Sequence, residues 1–282
     1  MPLHQVDVKG YTRKGKLVKA YKRKQDKKNI ALKVAIGTAS ALGISAATYL
    51  VLKKRYVNNL DDIAKNLKVD PSLGKEFDKN IKDITFTIGG LTGNAAQKNT
   101  DPHSQARFMS AFINNHLSNA DKKIHKVVAL QHSFDTDNKK LTIVNIAERV
   151  ELLNKPFFTG RNNEAAKLAE EIYNYSVKNP DKQVNIFGFS AGSNLGRDVQ
   201  YILDKKGVKV NLATIGSANF RLTPDKKSLN FVGTKDYVQS VKTKGSIMIP
   251  DAEHHPEPYL KSEIVRNELF KYFYNQKPYT KS

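Results

Sequence analysis

Residues 184–203 read VNIFGFSAGSNLGRDVQYIL, and this stretch decides how the rest of the chain is read. Val184–Phe187 is a short apolar run of the kind that forms a buried strand. Asn194–Asp204 spaces its apolar residues as a helix. Between them lies Gly188-Phe189-Ser190-Ala191-Gly192, a G-x-S-x-G turn joining strand to helix. In that context each glycine has a physical purpose. The turn is tight, and a side chain at position 188 or 192 would collide with the neighbouring strand or helix. Ser190 is left exposed at the sheet edge and at a helix N-terminus, where backbone amides favour developing negative charge. The plainer alternative is a serine that merely caps the helix.

Working outward, the same texture recurs. Ile84–Ile88, Val127–Leu130, Val210–Ile215, Leu229–Val232 and Ile247–Ile249 read as further strands, most of them apolar on both faces. Ser104–Leu117, Asn163–Val177 and Ser262–Tyr274 read as helices. Strand–helix alternation predicts an α/β fold, a mostly parallel sheet with helices on both faces, over residues 81–278.

A nucleophilic serine needs a base, and the base an orienting acid. Asp236 stands just past the strand Leu229–Val232 and a glycine turn; Asp225, Asp251 and Glu253 are rivals without both features. In a Ser–acid–His chain order only His254 and His255 qualify, since all five other histidines precede Ser190. Neighbouring side chains of an extended chain point to opposite sides, so one of the two serves. His255 precedes Pro256, which biases it to extended backbone and to substrate or solvent. For the oxyanion, the amide of Ala191 is one expected donor. Leu91 or Gly90, in the loop Gly89-Gly90-Leu91-Thr92-Gly93-Asn94, would supply the other.

These residues together resemble the α/β-hydrolase superfamily, in particular its small lipase- and esterase-like members. The resemblance runs from Asp83 to Tyr274 and rests on IFGFSAGSNLGRD, FVGTKDYV, IPDAEHHPEPYL and ATIGSAN. Family members whose last strand runs into an Ala-Gly-His turn place Ala252-Glu253-His254 in register, which favours His254. Gly89-Gly90 departs from the His-Gly of many esterases, and no strand is evident before Ile84, which implies a trimmed sheet. Any lid would come from residues 93–125 or 133–163.

Composition bounds the rest. The 282-residue chain carries 47 Lys+Arg against 27 Asp+Glu, a net +20, and no Cys. A disulfide framework, a thiolate metal site and a cysteine nucleophile are excluded. Residues 1–56 hold 14 Lys/Arg against Asp7 and Asp26, a net +12. Concentration of charge there, rather than around a working face, argues against a nucleic-acid enzyme. It adjoins Val34–Leu52, 19 residues without a charge, which at 1.5 Å per residue would span about 28 Å of bilayer. Ala35, Ala39, Gly43 and Ala47 recur on one helical face, as in packed membrane helices. Residues 1–33 thus read as a basic tail with a ten-residue rhythm (Lys9/Lys19, Tyr11/Tyr21, Arg13/Arg23), 34–52 as a single transmembrane helix and 53–80 as a stalk. The basic flank places the tail inside and the large domain outside.

The expectation is a membrane-anchored serine hydrolase acting on an ester or thioester of a small molecule or lipid. No cofactor, metal or nucleic acid is implied: Asp135-Thr136-Asp137-Asn138 lacks the glycine and distal glutamate of a calcium loop. A non-catalytic binding module and an acyltransferase with the same triad are the alternatives.

Overall fold

The computed structural model describes residues 4–8, 11–13, 16–18, 21–25, 46–90, 102–130, 156–217, 227–236 and 245–279. Its centre is a six-stranded sheet of β5 (Asp83–Ile88), β6 (His125–Leu130), β7 (Gln183–Phe189), β8 (Val210–Ile215), β9 (Leu229–Gly233) and β10 (Ile247–Ile249). The order is β10-β9-β8-β7-β5-β6 and every neighbouring pair is parallel. The expected α/β sheet is therefore present. Among the described residues no strand joins it beyond β6. Earlier, β1 (His4–Val8) pairs antiparallel with β4 (Tyr21–Gln25), and β2 (Tyr11–Arg13) with β3 (Lys16–Val18). The repeat of Tyr11 and Tyr21 thus marks two strand starts, a feature a reading by charge alone overlooks.

Two apolar layers sandwich the sheet. On one face, α1 (Ala46–Asn66), α3 (Pro156–Lys178) and α4 (Ala191–Lys205) cover Ile84, Phe86, Ile186 and Leu212 with Leu60, Ile172, Leu195 and Val199. On the other, α2 (Pro102–Asn115), α5 (Pro256–Lys261) and α6 (Glu263–Tyr274) cover Phe187, Ile215 and Phe231 with Met109, Ile113, Leu269 and Phe270. Strand period two divides each strand between the layers. The expected single helix Ser262–Tyr274 begins instead at Glu263, after α5. Ser262 between them has extended backbone, φ −70° and ψ 125°.

This winding makes a crevice. The chain leaves β5 for α2 on one face and leaves the adjacent β7 for α4 on the other. Ligands bind α/β sheets where neighbouring strands diverge like this, at their carboxyl ends.

The segment expected to be a stalk is folded onto the domain. Along α1, Tyr56, Leu60 and Ala64 are buried, and the Tyr56 hydroxyl donates to Asp198 Oδ2 of α4 at 2.6 Å. Further on, Asn174 of α3 and Asn179 just past its end accept the backbone N–H groups of Asp70 and Phe77 at 2.7 and 2.9 Å. Phe77 stacks on Tyr175 with centroids 5.7 Å apart. Polar composition suggested a linker here because side-chain partners far away in sequence satisfy this backbone. Among the described residues no helix is long and apolar enough to cross a membrane. Residues 34–45 of the apolar run lie outside the described residues, and 46–52 form the first turns of α1.

Truncating Leu60 tests whether α1 is integral to the fold. Leu60→Ala is expected to lower unfolding free energy by about 2–5 kcal/mol in urea titration, because the side chain is fully buried. A loss below about 0.5 kcal/mol would mean that α1 is only loosely attached.

Candidate active site

The site is assembled from three loops at the carboxyl edge of the sheet. The first is the turn after β7. Ser190 has φ 53° and ψ −121°, a conformation that L residues rarely adopt. Its N–H donates to Ile215 O at 3.1 Å, and the Ser193 hydroxyl donates to Gly188 O at 2.8 Å. These bonds hold the turn shut. A Cβ on Gly188 would lie 2.7 Å from Ser193 Cα, and one on Gly192 would strike the Ile88 and Gly89 carbonyls of the β5 loop. Such a strained residue persists only where its surroundings over-determine it.

The second loop follows β9 and the third follows β10; backbone bonds fasten one to the other. Thr234 N–H donates to Ile249 O at 3.0 Å and Lys235 N–H to Ala252 O at 3.1 Å. Together they carry Asp236 and His254 to Ser190. Ser190 Oγ lies 2.8 Å from His254 Nε2, and His254 Nδ1 lies 2.9 and 3.0 Å from the two oxygens of Asp236. The carboxylate only accepts, so Nδ1 bears the proton and Nε2 accepts from the serine hydroxyl. The Asp236 side chain is fully buried, while His254 keeps 16% exposure. The Phe189 ring packs against the imidazole, centroids 5.3 Å apart.

His255 is directed elsewhere. It is the N-cap of α5, and its Nδ1 accepts the Glu257 N–H at 3.2 Å. Asp251 is exposed and pairs with Lys235 at 3.0 Å, away from the histidine. Asp225 and Leu91 lie outside the described residues. Gly90 is in contact with the serine, for a Cβ there would come within 2.7 Å of Ser190 Cβ. Its amide, however, donates to Gln105 Oε1 of α2 at 2.7 Å and is not directed to an oxyanion. Ala191 opens α4, so its amide has no acceptor within the helix.

Three contributors were not legible in the sequence. Gln105 holds the β5 loop as described. Tyr259 of α5 donates its hydroxyl to Asp236 Oδ2 at 2.6 Å and accepts the Gly233 N–H at 2.8 Å. Burial and the adjacent carboxylate push its phenol far above the usual tyrosine range. Arg197 of α4 reaches Thr214 and Ser217 at 3.2 and 3.4 Å, bracing the β8 loop whose Gly216 packs on Asp236. Each acts on a partner distant in sequence, and the contact leaves no signal in the local pattern. Among the described residues no cluster of ligating side chains could hold a metal.

No protein-family model matches the sequence, and neither does any curated protein. Several solved structures align with it. An uncharacterized protein from Bacillus cereus is 14% identical with a TM-score of 0.42, over 76% of this chain and 66% of that one. A serine hydrolase of the α/β class without a lid, from Xanthomonas campestris, is 11% identical with a TM-score of 0.35, over 66% of this chain and 77% of that one. RedJ, solved with a polyethylene glycol molecule in its active site, is 13% identical with a TM-score of 0.34, over 72% of this chain and 92% of that one. The chain thus spans just under two thirds of the Bacillus cereus protein's length. At these similarities the function of this chain has to be argued from its own geometry.

Backbone strain at position 190 makes a stability prediction. Ser190→Gly is expected to be more stable than Ser190→Ala by about 1–2 kcal/mol, since both lose the hydroxyl but only glycine accepts this φ without cost. Equal denaturant midpoints for the two variants would show that the turn relaxes instead.

Proposed function

We propose that the chain is a serine hydrolase of the α/β-hydrolase type that cleaves an ester or thioester through an acyl-enzyme. The single observation that supports this is the continuous line from Ser190 Oγ through His254 to Asp236, each step within 3.0 Å. In this reading Ser190 attacks the acyl carbon as His254 takes its proton. Asp236 holds the imidazole tautomer and stabilises the cation that forms. The alkoxide or thiolate leaves with the proton from His254. Water, activated by the same base, then releases the acid and restores Ser190. The oxyanion is assigned to the amides of Ala191 and Leu91, since the Gly90 amide is already engaged by Gln105. His255 takes no part in proton transfer on this reading.

Membrane attachment through residues 34–52 is part of the proposal. It rests on the charge-free run and its basic flanks. Because α1 continues unbroken from Ala46 to the buried Tyr56 and Leu60, such an anchor would hold the domain against the bilayer with no flexible spacer. That arrangement suits a substrate presented at a membrane surface, with the domain on the extracytoplasmic side.

The chemistry is tested by labelling the full chain with a fluorophosphonate and assaying p-nitrophenyl esters. Ser190→Ala is expected to lose about 10³-fold or more in kcat and all labelling, with thermal unfolding retained. His254→Ala should abolish the acyl-enzyme burst, whereas His255→Ala should leave kcat within about tenfold of wild type, at some cost in stability from the lost cap. Turnover by Ser190→Ala near the wild-type rate would rule the nucleophile out. For attachment, the full chain should stay with membranes through a high-salt wash; complete release would mark it as peripheral.

A further inference from the structure

We propose that Tyr259 is a positioning residue for this reaction: its hydroxyl clamps the Asp236 carboxylate and thereby sets how strongly His254 holds its proton. The inference rests on reading Ser190, His254 and Asp236 as the triad, and it goes beyond that reading to a fourth member acting through the acid.

The direction of the hydrogen bonds is unambiguous. The Gly233 amide can only donate, so the phenol oxygen accepts from it at 2.8 Å. The phenol has one proton, and it goes to Asp236 Oδ2 at 2.6 Å, a short charge-assisted bond. That oxygen is also 3.0 Å from His254 Nδ1, with Oδ1 at 2.9 Å. The carboxylate therefore cannot turn about its own axis without giving up one of these partners. Room for the clamp is provided by residue 233 being glycine: a Cβ there would sit 2.8 Å from the phenol oxygen and against the Ala252 carbonyl. Tyr259 is itself fully buried, on the helix that His255 caps. Its raised phenol stays protonated at any pH where the enzyme works, so the clamp donates throughout.

A donor on the carboxylate withdraws negative charge from it, and the imidazolium formed during reaction is then stabilised less. Tyr259 thus trades some basicity of His254 for a fixed orientation. Among the described residues, the charged groups nearest this pair are engaged outside the clamp. Lys235 is engaged with Asp251 at 3.0 Å and Glu257 with Lys261 at 2.7 Å, all on the exposed side. His255 is occupied in capping, and Glu253 adjoins His254 in the same turn. Arg197 of α4 spends its guanidinium on Ser228, Asn230, Thr214 and Ser217. From the turn after β7, Ser190 faces the imidazole, and Phe189 before it packs on the ring.

The test compares the full chain with Tyr259→Phe and with 3-fluorotyrosine at position 259, following kcat/KM for p-nitrophenyl acetate against pH. Active sites are counted by fluorophosphonate labelling. Tyr259→Phe is expected to lower kcat about tenfold per labelled site with KM nearly unchanged, as a loosened acid misorients the base. It should also move the acid limb of the profile upward by roughly half a unit to one unit, the share of a lost charged hydrogen bond felt at the imidazole. Fluorotyrosine preserves ring and hydroxyl but is a stronger donor, so it should move the same limb downward; this arm decides the matter if the phenylalanine variant fails to fold. A limb unmoved in the fluorotyrosine protein, or moved in the opposite sense in either variant, overturns the proposal, since a merely structural role would change stability and labelled fraction alone. Should Ser190→Ala retain turnover, the triad reading fails first, and that outcome is separable from either result.

Discussion

At the carboxyl edge of the sheet, backbone meets backbone with no side chain between, and the remaining geometry depends on that closeness. The turn after β7 presses Gly192 against the Ile88 and Gly89 carbonyls, while Gly90 lies against Ser190. A second approach of the same kind joins Gly233 to the Ala252 carbonyl. Four loops are thereby fastened in two pairs by close backbone approach, the β5 loop to the turn after β7 and the β9 loop to the β10 loop. The strain stored at Ser190, where φ is 53°, can be held only because both flanks of the turn are fixed.

Rigidity at this edge is supported by a polar arrangement inside the core. On β5 the residues facing α2 and α6 are Asp83, Thr85 and Thr87, all buried. Each hydroxyl has a partner: Thr85 meets the Tyr274 hydroxyl at 2.8 Å, and Thr87 donates to Ala106 O at 2.8 Å and meets Ser110 at 2.7 Å. Asp83 faces His125 across the β5–β6 pair at 2.5 Å, and burial pushes its carboxyl above the usual range. The paired hydroxyls of Thr85 and Thr87 fix one register of helix on strand where an apolar face would tolerate sliding. The register matters because α2 carries Gln105 to the Gly90 amide and so shapes the loop beside the serine.

Attachment of α1 links this core to the basic N-terminal region. Tyr56 and Tyr201 exchange hydrogen bonds with Asp198 and Asp61 across the α1–α4 contact, at 2.6 and 2.8 Å. The helix that carries the Ser190 turn at its start is thus braced by the helix that begins at Ala46. If the proposed membrane attachment holds, α1 is the element through which it would reach the domain.

Local patterns settled the parts of this protein that local physics controls. Short apolar runs alternating with helical spacing specify a parallel α/β sheet, because burial on two faces leaves a two-residue or a 3.6-residue signature in the chain itself. Gly188, Gly192 and Ser190 were legible for the same reason: a turn that tight admits few residues. The family resemblance only favoured His254 over its neighbour; the tertiary structure directs it to the serine, because side-chain direction in a turn follows from what the turn is pinned to, here the Lys235–Ala252 bond and the cap of α5. It also drew Tyr259 and Gln105 into the site and laid residues 53–80 onto the domain. Those contacts join residues separated by 15 to more than 100 positions, and no periodicity within a segment records the partner that waits for it elsewhere.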